Sequence, residues 1–144
     1  MVAKITTPKS IEAALNYNEK KVQKGNAVCL YAANYLNDAK NMNFYQKLKG
    51  FERLNTLNER ATTKTLHVSL NFDPSEKLAE SKLLQIASAY MEMIGFGQQP
   101  YLVYKHEDAG HPHIHIVSTT IKADGSRINT HNIEKISRAH WPAE

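Results

Sequence analysis

Apolar and polar side chains alternate along several segments of the chain, a pattern typical of half-buried β-strands. The clearest case is 61–72, where the apolar residues at even positions from Leu66 to Phe72 face one way. The polar residues between them, including His67, face the other way, so His67 is directed either to solvent or into a cleft. Further strands are predicted at 2–6, 99–105 and 112–122, with a short return strand at 127–128.

Apolar residues spaced three and four apart predict helices between these strands. We expect the helices to begin at Ser10, to span 44–59, to run from Asp73 to Gly95, and to span 132–140. Asp73 is followed by Pro74 and, three positions on, by Glu76, which is the pattern of a capping box at a helix start. The apolar segment 27–36 fits either a strand or a helix, and we favour a helix.

This order of elements predicts an α+β fold. We expect a two-layer sandwich whose mainly antiparallel sheet carries the histidines described below, with helices packed on the other face. At 144 residues and 16.3 kDa, the chain is long enough for a hydrophobic core of its own, so residues 1–144 are expected to form a single domain.

Composition and charge narrow the function classes only slightly. The single cysteine, Cys29, allows no internal disulfide and favours a reducing cytoplasm. No apolar run approaches the roughly 20 residues of a membrane-spanning helix, and the N-terminal residues lack the apolar core of a signal peptide. The net charge of +4 mildly favours a polyanionic partner such as nucleic acid.

Four of the seven histidines lie within 104–117. His113 and His115 occupy alternate positions of the strand predicted at 112–122, so their imidazoles share one face, and an imidazole pair is a poor core face. Turn-forming residues at 107–110 would fold the preceding strand back and bring His106 towards that face. Three convergent imidazoles, with Asp108 nearby to orient one of them, predict a metal site.

The fourth histidine of this segment, His111, is the weakest of these candidates. It would share the face of His113 and His115 only in an unbroken strand, and Pro112 lacks an N–H, so the strand is expected to begin there. The residues alone leave open whether His106 or His111 is the third ligand.

Tyr17 lies outside the apolar stripe of its predicted helix. At about 100° per residue, it is displaced from the stripe formed by Ile11, Ala14 and Leu15, so it is expected at the edge of the core or exposed. Lysines follow it at 20, 21 and 24, and a tyrosine beside three lysines usually belongs to a solvated basic helix end.

Three segments together resemble the nuclease domain of plasmid and transposon mobilisation relaxases, in the HUH endonuclease superfamily. Residues 10–21 are similar to the family's first motif, with Tyr17 at the position of the nucleophilic tyrosine. Residues 66–78 are similar to the segment that enters the family's middle helix, and 106–117 resemble the metal motif, in which an upstream histidine joins an H-x-H pair. Ala109 stands where the family usually has threonine. The chain ends soon after the motif, as expected of the N-terminal part of a longer protein.

The resemblance implies that His106, His113 and His115 bind a metal ion, that Tyr17 is the catalytic nucleophile and that Asp108 orients an imidazole. It implies an enzyme that nicks one DNA strand at an origin of transfer, through a covalent 5′-phosphotyrosyl intermediate, during conjugative mobilisation. The family uses Mg or Mn, whereas three imidazole nitrogens ordinarily prefer Zn, Ni or Mn.

The implied partners are single-stranded origin-of-transfer DNA, accessory mobilisation proteins and a coupling protein, in the bacterial cytoplasm. The lysines after Tyr17 and the basic helix at 44–60 would follow the DNA backbone, and exposed tyrosines would stack on bases.

Two other functions fit the histidines. The segment 111–117 also resembles the motif of histidine-triad nucleotide hydrolases, in which His111, His113 and His115 would form the triad and His113 would attack a nucleotide phosphate without a metal. The same histidines would also suit a non-catalytic DNA-binding protein or a structural zinc site.

Overall fold

The computed structural model of the chain describes residues 1–107 and 113–140, and only the backbone of Ala139 and His140. In chain order its elements are β1 (Val2–Thr6), α1 (Ile11–Gln23), β2 (Ala27–Ala33), α2 (Phe44–Asn55), β3 (Thr65–Asn71), α3 (Glu80–Met93), β4 (Tyr101–His106), β5 (His113–Thr119) and α4 (Ile133–His140), with a short 3-10 turn at Ala39–Asn41. No helix of this described part is long and apolar enough to cross a membrane.

The five strands form one sheet in the order β1-β3-β5-β4-β2, and every neighbouring pair is antiparallel. β5 lies at the centre, between β3 and β4. The register pairs His106 with His113 and Tyr104 with His115 across β4 and β5. The α+β class and the antiparallel sheet that carries the histidines are confirmed.

Helices lie on both faces of the sheet, whereas we expected them only on the face opposite the histidines. On the face opposite the histidines, α3 packs on the apolar side chains of β3, β4 and β5 around Val68, Val103 and Ile116, together with Ile133 of α4. On the histidine face, α1 and α2 pack on Leu102 and Val117. The histidines are therefore at the border of a second, smaller core rather than on a bare sheet surface.

Strand β2 differs from the sequence prediction. The segment 27–36, for which we favoured a helix, contains strand β2 at the edge of the sheet. The pairing of β2 with β4 shifts register between Cys29 and Tyr31, so an extra residue interrupts the alternation of side chains. That interruption removed the period-two pattern by which a strand is recognised.

The start of α3 was also predicted wrongly. The Asp73 carboxylate accepts hydrogen bonds from the backbone N–H and the hydroxyl of Ser75, at 2.9 and 2.6 Å, within a turn rather than at a helix end. The helix begins only at Glu80, and Ala79 precedes it without a side-chain cap. An aspartate makes the same local bonds in a turn and at an N-cap, so the two are alike in sequence. The return strand expected at 127–128 is a single bridge between Ile121 and Arg127.

Candidate active site

Helix α1 places three consecutive residues against the histidine face. The Ser10 hydroxyl accepts a hydrogen bond from Ala13 N–H at 3.0 Å and caps the helix. The buried side chains of Ile11, Ala14 and Leu15 then fix α1 on the sheet. As a result, the middle of the helix, which contains Tyr17, Asn18 and Glu19, lies beside β3 and β4.

His106, His113 and His115 form the cluster that the sequence predicted. One ligand nitrogen from each of them lies within 4.8 Å of the others. The rings of His106 and His115 stack with 3.9 Å between centroids, and that of His113 lies 5.2 and 5.3 Å from them. The cluster forms because β4 and β5 are adjacent and pair His106 with His113. His106 and His113 are buried, at 1% and 7% exposure.

His67 of β3 joins this cluster from the neighbouring strand. Its Nε2 lies 3.1 Å from Nδ1 of His115, which is hydrogen-bonding distance. Burial lowers the pKa of His67 to about 4. The sequence placed His67 on the correct face but assigned it no role, and the structure makes it a neighbour of a candidate ligand.

His115 favours the neutral imidazole. Burial, together with the positive charge that His106, His67, His113 and Lys21 would carry, lowers the pKa of His115 to about 2. A neutral imidazole keeps one nitrogen lone pair, and such nitrogens are the ordinary ligands of Mn, Zn and Ni. The residues present therefore fit a divalent metal ion.

Tyr17 lies directly beside the histidines. Its ring centroid is 6.2 Å from that of His106, 6.1 Å from that of His115 and 6.3 Å from that of His67. The side chain is 49% exposed, as its position off the apolar stripe predicted. The Lys21 ammonium lies 5.2 Å from the centre of the same ring. The site thus combines a solvent-accessible phenol, a cation and a cluster of imidazoles.

Asn18, which the sequence reasoning missed, connects α1 to the histidines. It is fully buried, and its Oδ1 lies 2.7 Å from Nε2 of His106. Its Nδ2 donates to the carbonyl of Ala14 at 3.0 Å and lies 3.5 Å from Nε2 of His67. A buried asparagine one residue after the tyrosine gave no signal in the sequence, because its partners come from β3 and β4.

A buried polar network lies behind α1. The Glu19 carboxylate accepts hydrogen bonds from Lys47 Nζ at 2.9 Å and from the Tyr104 hydroxyl at 2.5 Å. Burial raises the pKa of Tyr104 and, beside it, that of Cys29. Lys47 is 5% exposed, so it supports the position of α1 and is not available to the DNA contacts expected of the basic helix at 44–60.

The structure thus brings together Tyr17, His106, His113 and His115 of the predicted site residues. Asp108 and His111 lie outside the described residues. The roles inferred for those two residues remain predictions.

Comparison with known proteins identifies the family of the chain. No curated protein and no solved structure matches the chain. The family model of the relaxase MobA/VirD2-like nuclease domain matches residues 17–141, which include Tyr17 and all the histidines of the cluster. The chain therefore belongs to the relaxase family, as a MobA/VirD2-like nuclease domain.

Proposed function

We propose that this chain nicks one strand of DNA at an origin of transfer by attack of Tyr17 on a phosphodiester. His106, His113 and His115 would hold a divalent ion, Mg or Mn, and Asp108 would orient an imidazole. The observation that carries the proposal is the position of Tyr17, half exposed and about 6 Å, ring to ring, from His106 and His115. We propose that the nuclease domain comprises residues 1–144 and acts in conjugative mobilisation, in the bacterial cytoplasm.

The chemistry follows from the residues. A tyrosine hydroxyl is a weak nucleophile at neutral pH, so it needs a polarised phosphate and a proton acceptor. A divalent ion on the three imidazoles would supply positive charge to the phosphate oxygens. Tyr17 Oη forms a bond to phosphorus, the bond from phosphorus to the 3′ oxygen breaks, and the phenol proton leaves as the 3′ oxygen takes one up. The product is a 5′-phosphotyrosyl link and a free 3′-hydroxyl.

The surface beside Tyr17 suits a DNA strand. The ammonium groups at 20, 21 and 24 follow Tyr17 along α1, and residues 20 and 24 are exposed. Such charges attract the phosphate backbone in a salt-dependent manner. Tyr31, which is 46% exposed, lies on the other face of the sheet beside Leu84 and Ser88 of α3, so it offers no ring for base stacking at this surface. Accessory mobilisation proteins and a coupling protein would supply the remaining steps of transfer.

The test is a cleavage assay with single-stranded oligonucleotides that carry a candidate origin sequence, with Mn and with EDTA. We expect a covalent protein–DNA adduct on a denaturing gel only with Mn, containing the DNA on the 3′ side of the nick. Tyr17→Phe should form no adduct, while Tyr45→Phe, which changes an exposed tyrosine of α2, should react as the wild type does.

Three outcomes would contradict the proposal. An adduct with Tyr17→Phe would show that another residue is the nucleophile. Metal-independent hydrolysis of adenosine phosphoramidate without any DNA adduct would indicate a histidine-triad hydrolase instead. DNA binding without cleavage under all conditions would indicate the non-catalytic function.

A further inference from the structure

We propose that Asn18 is a positioning residue that sets which ring nitrogen of His106 carries its hydrogen, and through His67 does the same for His115. The inference rests on the proposed function, because it concerns how the ligand histidines are prepared for the metal. The hydrogen bond from His106 to Asn18 connects the proposed metal site to α1, the helix that contains Tyr17.

The orientation of the Asn18 amide follows from its partners. The side chain is fully buried, so its polar atoms need partners inside the protein. One end lies 3.0 Å from the backbone carbonyl of Ala14, one helical turn earlier. A carbonyl only accepts hydrogen bonds, so that end must be the NH2 group. The other end, towards His106, is therefore the carbonyl oxygen Oδ1.

This orientation determines the tautomer of His106. The Asn18 Oδ1 lies 2.7 Å from His106 Nε2, and an amide oxygen only accepts, so Nε2 must carry the hydrogen. A neutral imidazole has one protonated nitrogen, which leaves the lone pair of His106 on Nδ1. Ligand histidines commonly donate the hydrogen of their other ring nitrogen to a fixed acceptor, which orients the ring and strengthens the ligand. Asn18 has that relation to His106.

The second hydrogen of the same amide is directed towards His67. Asn18 Nδ2 lies 3.5 Å from His67 Nε2, at the long end of hydrogen-bonding distance, and an amide nitrogen only donates. His67 Nε2 then presents a lone pair. His115 Nδ1, which lies 3.1 Å from that same atom, must donate to it, so the lone pair of His115 lies on Nε2. One buried amide thus sets the tautomers of two candidate ligands.

The position of Asn18 in the chain gives this contact a second effect. Because Asn18 directly follows Tyr17, its bond to His106 also holds the tyrosine at a fixed distance from the metal site. An apolar residue that only filled the space of Asn18 would accept no hydrogen bond from His106 and would not affect the tautomers of the histidines.

The test uses nitrogen-15 NMR of the histidine side chains in the metal-free chain, with titration of Mn or Zn by calorimetry. The variants are Asn18→Leu, which removes both ends of the amide at similar volume, and Asn18→Asp, which keeps the acceptor towards His106 and removes the donor towards His67. Asn16→Leu is the matched control, since Asn16 is on the same helix and only partly buried. Wild type should show His106 with its hydrogen on Nε2, and Asn18→Leu should show a mixture of tautomers.

We expect Asn18→Leu to lose about 10- to 100-fold in metal affinity, the usual effect of removing such a partner, while Asn16→Leu keeps the wild-type affinity within threefold. Asn18→Asp should keep the hydrogen of His106 on Nε2, whereas the hydrogen of His115 should no longer be fixed on Nδ1. Unchanged tautomers and affinity in Asn18→Leu would overturn the inference. If Asn18→Leu does not fold, the wild-type spectrum decides, because His106 with its hydrogen on Nδ1 is incompatible with the inference. If the wild type binds no metal, the proposed metal site is refuted. The NMR spectra of the metal-free chain would then still show whether Asn18 sets the tautomers of His106 and His115.

Discussion

The ring of Tyr17 lies at 29° to that of His106, with 6.2 Å between the two centroids, although the first belongs to α1 and the second to β4. The proposed nucleophile and one proposed ligand are thus neighbours, and the residue after the tyrosine bonds directly to that ligand. The distance between the proposed nucleophile and the proposed metal ligands therefore depends on how α1 packs against the sheet.

Tyr17→Phe is expected to leave the metal site and the fold intact. The substitution keeps the ring and removes only a hydroxyl from a half-exposed side chain, so the free energy of unfolding should change by less than about 0.5 kcal/mol. Mn affinity should stay within twofold of wild type, and both are measured by urea unfolding and calorimetry. A tenfold loss of affinity would show instead that the hydroxyl helps to build the metal site.

His113→Ala should abolish measurable Mn binding, because one of three nitrogen ligands is lost. In the wild type, Mn at 100 times its dissociation constant should stabilise the fold by about 2.7 kcal/mol, and EDTA should reverse this. His131→Ala is the control, since His131 is exposed and is not part of the cluster. Equal stabilisation of His113→Ala and His131→Ala by Mn would rule out His113 as a ligand.

The metal-free chain should lose stability as the pH falls below about 6.5. The pKa values of His67 and His115 are about 4 and about 2 in the folded chain, below the unfolded value, so the unfolded state binds more protons in this interval. Their contribution is complete above pH 6.5, decreases as the pH falls, and is lost in full only below the folded values. Urea unfolding at pH 7.5, 6 and 5 measures this slope. His67→Asn should flatten it; an equally steep slope would assign the proton uptake to other groups.

Lys47→Met should destabilise the fold by about 3–5 kcal/mol, because it leaves the largely buried Glu19 carboxylate without its cation. The double variant Glu19→Gln, Lys47→Met should recover part of that loss, since it removes the charge as well. Lys49→Met, at an exposed position of the same helix, should change the free energy of unfolding by less than about 0.5 kcal/mol. Denaturant unfolding of all three tests the network, and a loss in Lys47→Met no larger than in Lys49→Met would refute it.

Local patterns predicted the parts of the site that a single strand determines. Alternation along β3 and β5 placed His67, His113 and His115 on polar faces, and the structure agrees, since those strands are neighbours in register. A reversal of the chain after His106 was expected to bring it towards the face of His113 and His115, and the structure pairs His106 with His113. Both predictions rest on local features of the sequence: the alternation of side chains along a strand and the pairing of two strands that are close in the chain.

The contacts of Asn18 and the strand β2 could not be predicted in this way. Asn18 meets its partners only after α1 packs on the sheet, and no local pattern encodes which face of a helix meets which strand. In β2 the register shift after Cys29 removed the alternation that identifies a strand. The network around Lys47 likewise joins α2 to α1 and β4, so a lysine that seemed to belong to a basic surface is buried.

Tyr17, Asn18 and Glu19 are consecutive, so they project from α1 about 100° apart: one to the rim of the site, one to the histidines and one to the polar network behind. The position of the tyrosine is therefore defined as an angle about the helix axis as well as a distance along it. Asn18 and Glu19 fix that helical phase with two independent buried contacts. A tyrosine moved to position 16 would point away by about 100°, and one at position 21 would be rotated by about 40° and lie about 6 Å further along the axis. The contacts of Asn18 thus help to determine where the hydroxyl of Tyr17, the proposed nucleophile, lies.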